Sequence, residues 1–425
     1  MTDEGWRAPV ATEPVDAVVT LPGSKSMTNR ALVLAGLANG PSVVRNSLRA
    51  RDTRLMADAL RALGVSVLDD ADGRCLVTPN QLAGPARVDC GLAGTVMRFV
   101  PPVAALAQGE VRFDGDPQAR RRPMQELVRA LRHLGVAIDD GGRGALPFVL
   151  QGTGAVSGGS VTIDASTSSQ FVSGLLLAGA RYKHGVAIRH VGKPLPSAPH
   201  IDMTVAMLRR VGVAVDEQRN TWQVEAGPIG SLDVDIEPDL SNAAPFLAAA
   251  LVTAGSIRIP SWPEQTTQPG AVLPELLTLF GGRCQRDGTG LSVKGTGTIA
   301  GADLDLRDVG ELTPVLAAVA ALADSPSWLR GVAHLRGHET DRLAALGAEI
   351  TALGGDVQEM ADGLVIRPRP LKGGVFRTYA DHRMAQAGAV LGLAVDGVEV
   401  EDVETTGKTM PDFVRMWVRM LGIVG

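Results

Sequence analysis

Leu131-Arg132-His133-Leu134-Gly135-Val136 decides the fold, because the chain keeps returning to it. It reads as the end of an amphipathic helix, a glycine stop and the start of a β-like run. Leu60-Arg61-Ala62-Leu63-Gly64-Val65 and Leu208-Arg209-Arg210-Val211-Gly212-Val213 repeat the phrase. Leu279-Phe280-Gly281-Gly282, Leu353-Gly354-Gly355-Asp356-Val357 and Met420-Leu421-Gly422-Ile423-Val424 repeat it more loosely. The glycines fall about seventy residues apart, the spacing of a supersecondary unit used six times.

A second phrase keeps the same interval. Ala31–Ala38, Val96–Ala107, Phe171–Ala180, Ala243–Ala254, Pro314–Ala323 and Ala385–Ala394 are helices apolar on nearly every face. Such helices are buried. Each unit therefore holds one buried helix, one amphipathic helix and strands, with the buried helices of a domain parallel. The last unit stops before its hairpin, and the β-prone first twenty residues are expected to supply the missing strands. The layout predicted is a domain of the first three repeats, 23–230, inserted into one made of 1–22 plus 231–425. Gly227-Pro228-Ile229-Gly230 reads as a crossover.

Polar residues stand at every buried-helix start: Ser24-Lys25-Ser26 with Arg30; Gly94-Thr95 with Arg98; Ser168-Ser169-Gln170; Asp239-Ser241-Asn242; Asp308-Glu311-Thr313; and Asp381-His382-Arg383. Capping accounts for the Ser, Thr and Asp residues. It does not account for Lys25, Arg30, Gln170, His382 or Arg383. Cations at a helix start oppose its dipole unless an anion lies between them. Arg120-Arg121-Arg122-Pro123 and Gly407-Lys408-Thr409 repeat this theme, with solvated side chains as the plain alternative. A P-loop is disfavoured, since Ser24 stands where that motif needs Gly before the Lys.

Composition bounds the reading further. A chain of 425 residues has room for two or more domains, and a net charge of −5 argues against broad nucleic-acid binding. The acidic start lacks an apolar run, so no signal peptide is expected, and no apolar stretch is long enough to span a bilayer. Cys75, Cys90 and Cys284 are scattered, as in a reducing cytoplasm, without disulfide or zinc spacing. His334 and His338 are four apart but have no third ligand nearby in sequence, so no metal is expected.

Together these residues resemble the EPSP synthase (3-phosphoshikimate 1-carboxyvinyltransferase) family. The matching phrases are Leu21-Pro22-Gly23-Ser24-Lys25-Ser26 through Arg30, Ala93-Gly94-Thr95-Val96-Met97-Arg98, Arg122-Pro123, Ser168-Ser169-Gln170-Phe171, Glu339-Thr340-Asp341-Arg342-Leu343, Asp381-His382-Arg383-Met384 and Lys408-Thr409-Met410-Pro411-Asp412. The resemblance implies a two-domain inside-out α/β barrel, each domain with three βαβαββ repeats. It implies transfer of the enolpyruvyl group of phosphoenolpyruvate to the 5-hydroxyl of shikimate 3-phosphate, in aromatic amino-acid biosynthesis, by a cytoplasmic monomer with no cofactor. Glyphosate is expected to compete with phosphoenolpyruvate.

By resemblance, Lys25, Ser26, Arg30, Ser168, Ser169, Gln170, Ser197, Asp239 and His338 hold shikimate 3-phosphate. Lys25, Gly94, Arg122, Gln170, Arg342, Arg383 and Lys408 hold phosphoenolpyruvate. Asp239 would take the proton of the 5-hydroxyl and Glu339 would protonate the methylene carbon, with Lys25 assisting. The chain departs from the family pattern at Leu92 (usually Asn), Phe99 (commonly Pro), His338 (often Lys), His334 (often Asn) and His200 (frequently Tyr). Two rival readings stand beside it. The sister transferase acting on UDP-N-acetylglucosamine carries a reactive Cys that the loop Asp114–Arg120 lacks. A non-catalytic anion- or RNA-binding repeat protein would not need paired acids.

Overall fold

The computed structural model describes residues Gly5–Ile423. Six units follow one another, each with an inner and an outer helix. They are α1 (Lys25–Leu37) and α2 (Arg51–Ala62); α3 (Gly94–Ala104) and α4 (Gln125–His133); α5 (Gln170–Gly179) and α6 (Pro199–Arg210); α7 (Ala244–Val252) and α8 (Leu273–Leu279); α9 (Thr313–Ala321) and α10 (Arg342–Ala352); α11 (His382–Gly392) and α12 (Phe413–Met420). Every residue of α3, α9 and α11 is buried. Their all-round apolar sequences leave no face for water, so they form the core and not its cover.

Backbone packing divides the chain into two compact units. Gly23–Ile236 is the inserted unit and contains α1 to α6. The flanking unit consists of the residues up to Pro22 and those from Glu237 onward, and contains α7 to α12. In the inserted unit α1, α3 and α5 touch one another, as α7, α9 and α11 do in the flanking unit. Small residues make this approach feasible. A Cβ on Gly174 of α5 would lie 2.2 Å from the carbonyl oxygen of Arg98 in α3, so only glycine fits there. With helices inside and sheets outside, each unit is an inside-out α/β barrel.

The sheets follow one pattern. In the second unit the order is Ala86–Asp89, Gln108–Asp114, Phe148–Thr153, Ala137–Asp139, with the first pair parallel and the rest antiparallel. The third and fifth sheets repeat it from local strands. The first and fourth borrow their opening strand. Asp233–Asp235 lies parallel to Ser42–Arg45, with Val234 opposite Val44. Asp16–Val18 lies parallel to Ser256–Pro260, with Ala17 opposite Ile257. The expected crossover at 227–230 is therefore corrected: 233–235 still serves the inserted unit, and the chain passes on after Ile236. The opening segment is also divided differently from expectation. Only Trp6–Arg7 completes the sixth sheet, antiparallel to Val398–Val400, while Asp16–Val18 serves the fourth.

The outer helix α12 is anchored by aromatic packing. Phe413 and Trp417 lie 5.9 and 5.5 Å, centroid to centroid, from Phe246 of α7. Each such pair contributes about 0.5–1.5 kcal/mol beyond its buried area. This anchor fixes the short 3-10 turn Val403–Lys408 just before it, which carries Lys408. Among the described residues, no helix is long and apolar enough to cross a membrane.

Candidate active site

In the inserted unit, the starts of the buried helices converge as a set. Ser24 caps α1, its hydroxyl accepting from the Met27 amide. Lys25 follows and donates from Nζ to Asp52 Oδ2 at 3.5 Å. Asn29 Nδ2 donates to Thr95 Oγ1 at 2.6 Å, tying α1 to the first turn of α3. At that turn, a Cβ on Gly94 would lie 2.9 Å from Arg98 Nη1, 3.0 Å from Gln170 Oε1 and 3.2 Å from Arg122 Nη1. Two cations and an amide thus surround one bare backbone position. Arg122 Nε and Gln170 Oε1 are buried without a hydrogen-bond partner, as groups that await a ligand would be. Arg122 also donates to the Leu92 carbonyl at 3.3 Å, so the backbone at this position serves where a side-chain amide is usual.

Gly94→Ala tests this cradle. The methyl group would displace the ends of Arg98, Arg122 and Gln170 while leaving the helix able to form. The expected result is a KM for the anion held there raised about tenfold to a hundredfold with kcat changed less, since misplacement by an ångström costs about that much. Steady-state kinetics reads it directly, and an unchanged KM would remove Gly94 from the site.

Arg30, expected to bind shikimate 3-phosphate, is enclosed by protein groups. It is 1% exposed. Its guanidinium donates to Thr204 Oγ1 at 2.7 Å, to the Ser26 and His200 carbonyls at 2.9 Å each, and to Ser173 Oγ at 3.5 Å. It also lies over the Phe99 ring at 5.1 Å. Burial lowers it to about 9. It braces α1 against α5 and α6 and fixes the Ser26 backbone. Ser169 is buried and Ser168 half-buried at the start of α5, where Ser168 Oγ accepts from the Gln170 amide at 3.3 Å. Ser197 is half-exposed in the loop before α6, in the left-handed region at φ 52°.

The flanking unit holds the second set. Arg342, at the head of α10, grips Asp381 in a fork: Nε donates to Oδ2 at 2.7 Å and Nη2 to Oδ1 at 3.1 Å. It also donates from Nη2 to Glu339 Oε2 at 3.1 Å and meets His338 Nδ1 at 3.2 Å. Glu339 Oε1 accepts from Lys408 Nζ. Burial alone would lower Arg342, but Asp381, Glu339 and Glu311 outweigh it and hold the guanidinium above its ordinary value. Arg383 donates to the Ser241 carbonyl at 2.8 Å and to Gln386 Oε1 at 3.2 Å, and burial holds it below its ordinary value.

Asp239 is placed as a cap. Its Oδ1 accepts from the Asn242 amide at 3.0 Å, at the turn leading into α7. A second carboxylate, Glu311, belongs to the same cluster although no role was expected for it. Its Oε1 accepts from Ser241 Oγ at 3.2 Å, and its charge acts on Arg342, Arg383 and His334. Its place at the start of the fifth buried helix was the signal for it. His334 is lowered to about 4, chiefly by burial, so it is neutral near pH 7. Among the described residues, no three His, Cys, Asp or Glu side chains form a metal-binding group. Cys90 is fully buried and burial pushes its thiol up, so it has the character of a core thiol and not a nucleophile.

Comparison with known proteins gives this arrangement a family. A structure of EPSP synthase from Acinetobacter baumannii is similar with a TM-score of 0.81 at 23% identity, covering 98% of each chain. The enolpyruvyl transferase NikO from Streptomyces tendae is similar with a TM-score of 0.76 at 18% identity, covering 97% of this chain and 96% of that one. At these identities the likeness is one of fold. The family described as EPSP synthase (3-phosphoshikimate 1-carboxyvinyltransferase) matches residues 10–417, nearly the whole chain and both sets of side chains. The chain therefore belongs to the EPSP synthase family.

Proposed function

We propose that the two sets divide the family's reaction, in which phosphoenolpyruvate gives its enolpyruvyl group to the 5-hydroxyl of shikimate 3-phosphate and phosphate leaves. The observation that carries the reading is the cradle of Arg122, Gln170 and Gly94, with buried polar atoms that have no protein partner. In the inserted unit, Arg122, Gln170 and the Gly94 backbone bind phosphoenolpyruvate. Ser26, Ser168, Ser169, Gln170 and Ser197 bind shikimate 3-phosphate, and Lys25 meets both anions. Arg30 holds Ser26 in place.

In the flanking unit, Arg342, Arg383 and Lys408 supply fixed positive charge to phosphoenolpyruvate and to the tetrahedral intermediate. Preorganised charge of this kind needs no reorganisation as the reaction proceeds. His338 donates to shikimate 3-phosphate. The alcohol must lose a proton as it attacks C2, and C3 must gain one. Lys408 Nζ delivers a proton to Glu339 Oε1 as Glu339 hands one on to C3, and the elimination step, in which C3 gives up a proton, returns it. Glu311 takes the proton of the hydroxyl, because Asp239 already caps the turn before α7. The scattered cysteines support a cytoplasmic location.

Phosphate release from phosphoenolpyruvate plus shikimate 3-phosphate, with UDP-N-acetylglucosamine as the control acceptor, tests the reaction. Lys25→Met tests the site. Its turnover should fall about a hundredfold to a thousandfold with the fold intact, since one fixed group acting on developing charge contributes that much. Near-normal turnover in a folded variant would remove Lys25 from the site.

A further inference from the structure

Asp52 lies in the first turn of α2 and is 1% exposed. One oxygen, Oδ2, accepts from Lys25 Nζ at 3.5 Å. The other, Oδ1, is buried without a hydrogen-bond partner. An acid at a helix start usually serves as a cap, but that work is done by a neighbour. Thr53 Oγ1 accepts from the Ala50 amide at 3.0 Å and donates to the Leu48 carbonyl at 2.7 Å. Attraction to the helix dipole remains, yet it is small beside the penalty of a buried carboxylate with one bare oxygen. For stability alone, a neutral residue would serve better at this position.

What the carboxylate does is visible across the gap. Lys25 opens α1, where the helix dipole disfavours a cation, and its four-carbon stem lets the ammonium wander. We propose that Asp52 is a positioning residue for Lys25. Its charge offsets the unfavourable position of the ammonium and holds Nζ on one side of the α1 start. The bare Oδ1 keeps the pair intact as the ammonium turns toward a ligand. Asp52 touches no substrate; it acts through Lys25, and the inference rests on the site reading above.

Asp52→Asn keeps the size and one acceptor and removes the charge. The expected result is a kcat lowered about tenfold to a hundredfold, the loss typical of a displaced catalytic group. The KM values of the two anionic substrates should stay the same or fall, because a negative charge has left their neighbourhood. The melting temperature should hold or rise, and Asp52→Glu, which keeps the charge, should regain part of the lost kcat. A kcat within twofold of the parent overturns the inference, as does a melting temperature that falls together with activity, or a variant that does not fold. Lys25→Met, run in parallel, separates the two readings. An active Lys25→Met overturns the site assignment, whereas an inactive Lys25→Met beside a fully active Asp52→Asn overturns only the role of Asp52.

Discussion

Glu339→Gln should lower kcat by about a hundredfold to ten-thousandfold, the range that a positioned proton donor contributes. Binding should survive, and the sign follows from the charges. Glu339 is shared between Arg342 Nη2 and Lys408 Nζ. Removing its charge leaves two cations less compensated, which attracts anionic phosphoenolpyruvate more strongly. The phosphoenolpyruvate KM should therefore stay level or fall while kcat collapses, the pattern of an interaction made in the transition state. Steady-state phosphate release with calorimetric binding of shikimate 3-phosphate checks it. Unchanged turnover with much weaker binding would make Glu339 a structural clamp.

Arg342→Met should do its damage to the fold as well as to the reaction. Asp381 is fully buried, and the Arg342 guanidinium grips it in a two-pronged fork. Removing one partner of such a pair costs about 3–5 kcal/mol, because the other charge stays inside uncompensated. Asp381 also caps α11 by accepting from the Arg383 amide at 2.9 Å, so the disturbance reaches a second cation of the site. Arg342→Lys keeps the charge but loses the fork, and should recover only part of the stability. Because the chain has two compact units, a melting temperature is a measure of overall loss that does not say where the loss falls. Hydrogen exchange in α10 and α11 is the better one, and unchanged protection there would show that the pair carries little of the local stability.

Much of this was legible in the sequence for a physical reason. Helices such as Pro314–Ala323, apolar on every side, can only be buried, and the recurrence of Leu-Gly-Val stops set their number. Lys25, Arg122 and Arg383 stood out because each puts positive charge where a helix dipole opposes it. What the sequence hid was long-range pairing. Nothing in Asp233-Val234-Asp235 says that it will lie beside Ser42–Arg45 and not beside the strands that follow it. The same holds for Arg30, whose type and position resemble those of Lys25. Its enclosure depends on Thr204, Ser173 and His200, residues far along the chain. Asp239 and Glu311 look equivalent as acids at helix starts, and their partners in the fold separate them: the Asn242 amide on Asp239 and the Ser241 hydroxyl on Glu311.

The borrowed strands set an order of events during synthesis. The inserted unit has all its parts once Ile236 has emerged from the ribosome. The segment made before it does not, because Trp6–Arg7 pairs with Val398–Val400. Translation at about 5–20 residues per second puts roughly ten to thirty seconds between those two points. Through that interval Trp6–Arg7 stays tethered to a finished unit while its own partner is still unmade, although Asp16–Val18 finds Ser256–Pro260 early. A chain halted before Val398 would thus carry a complete inserted unit beside an unclosed sixth sheet, with the edge of Gly374–Phe376 open to pairing with another nascent chain.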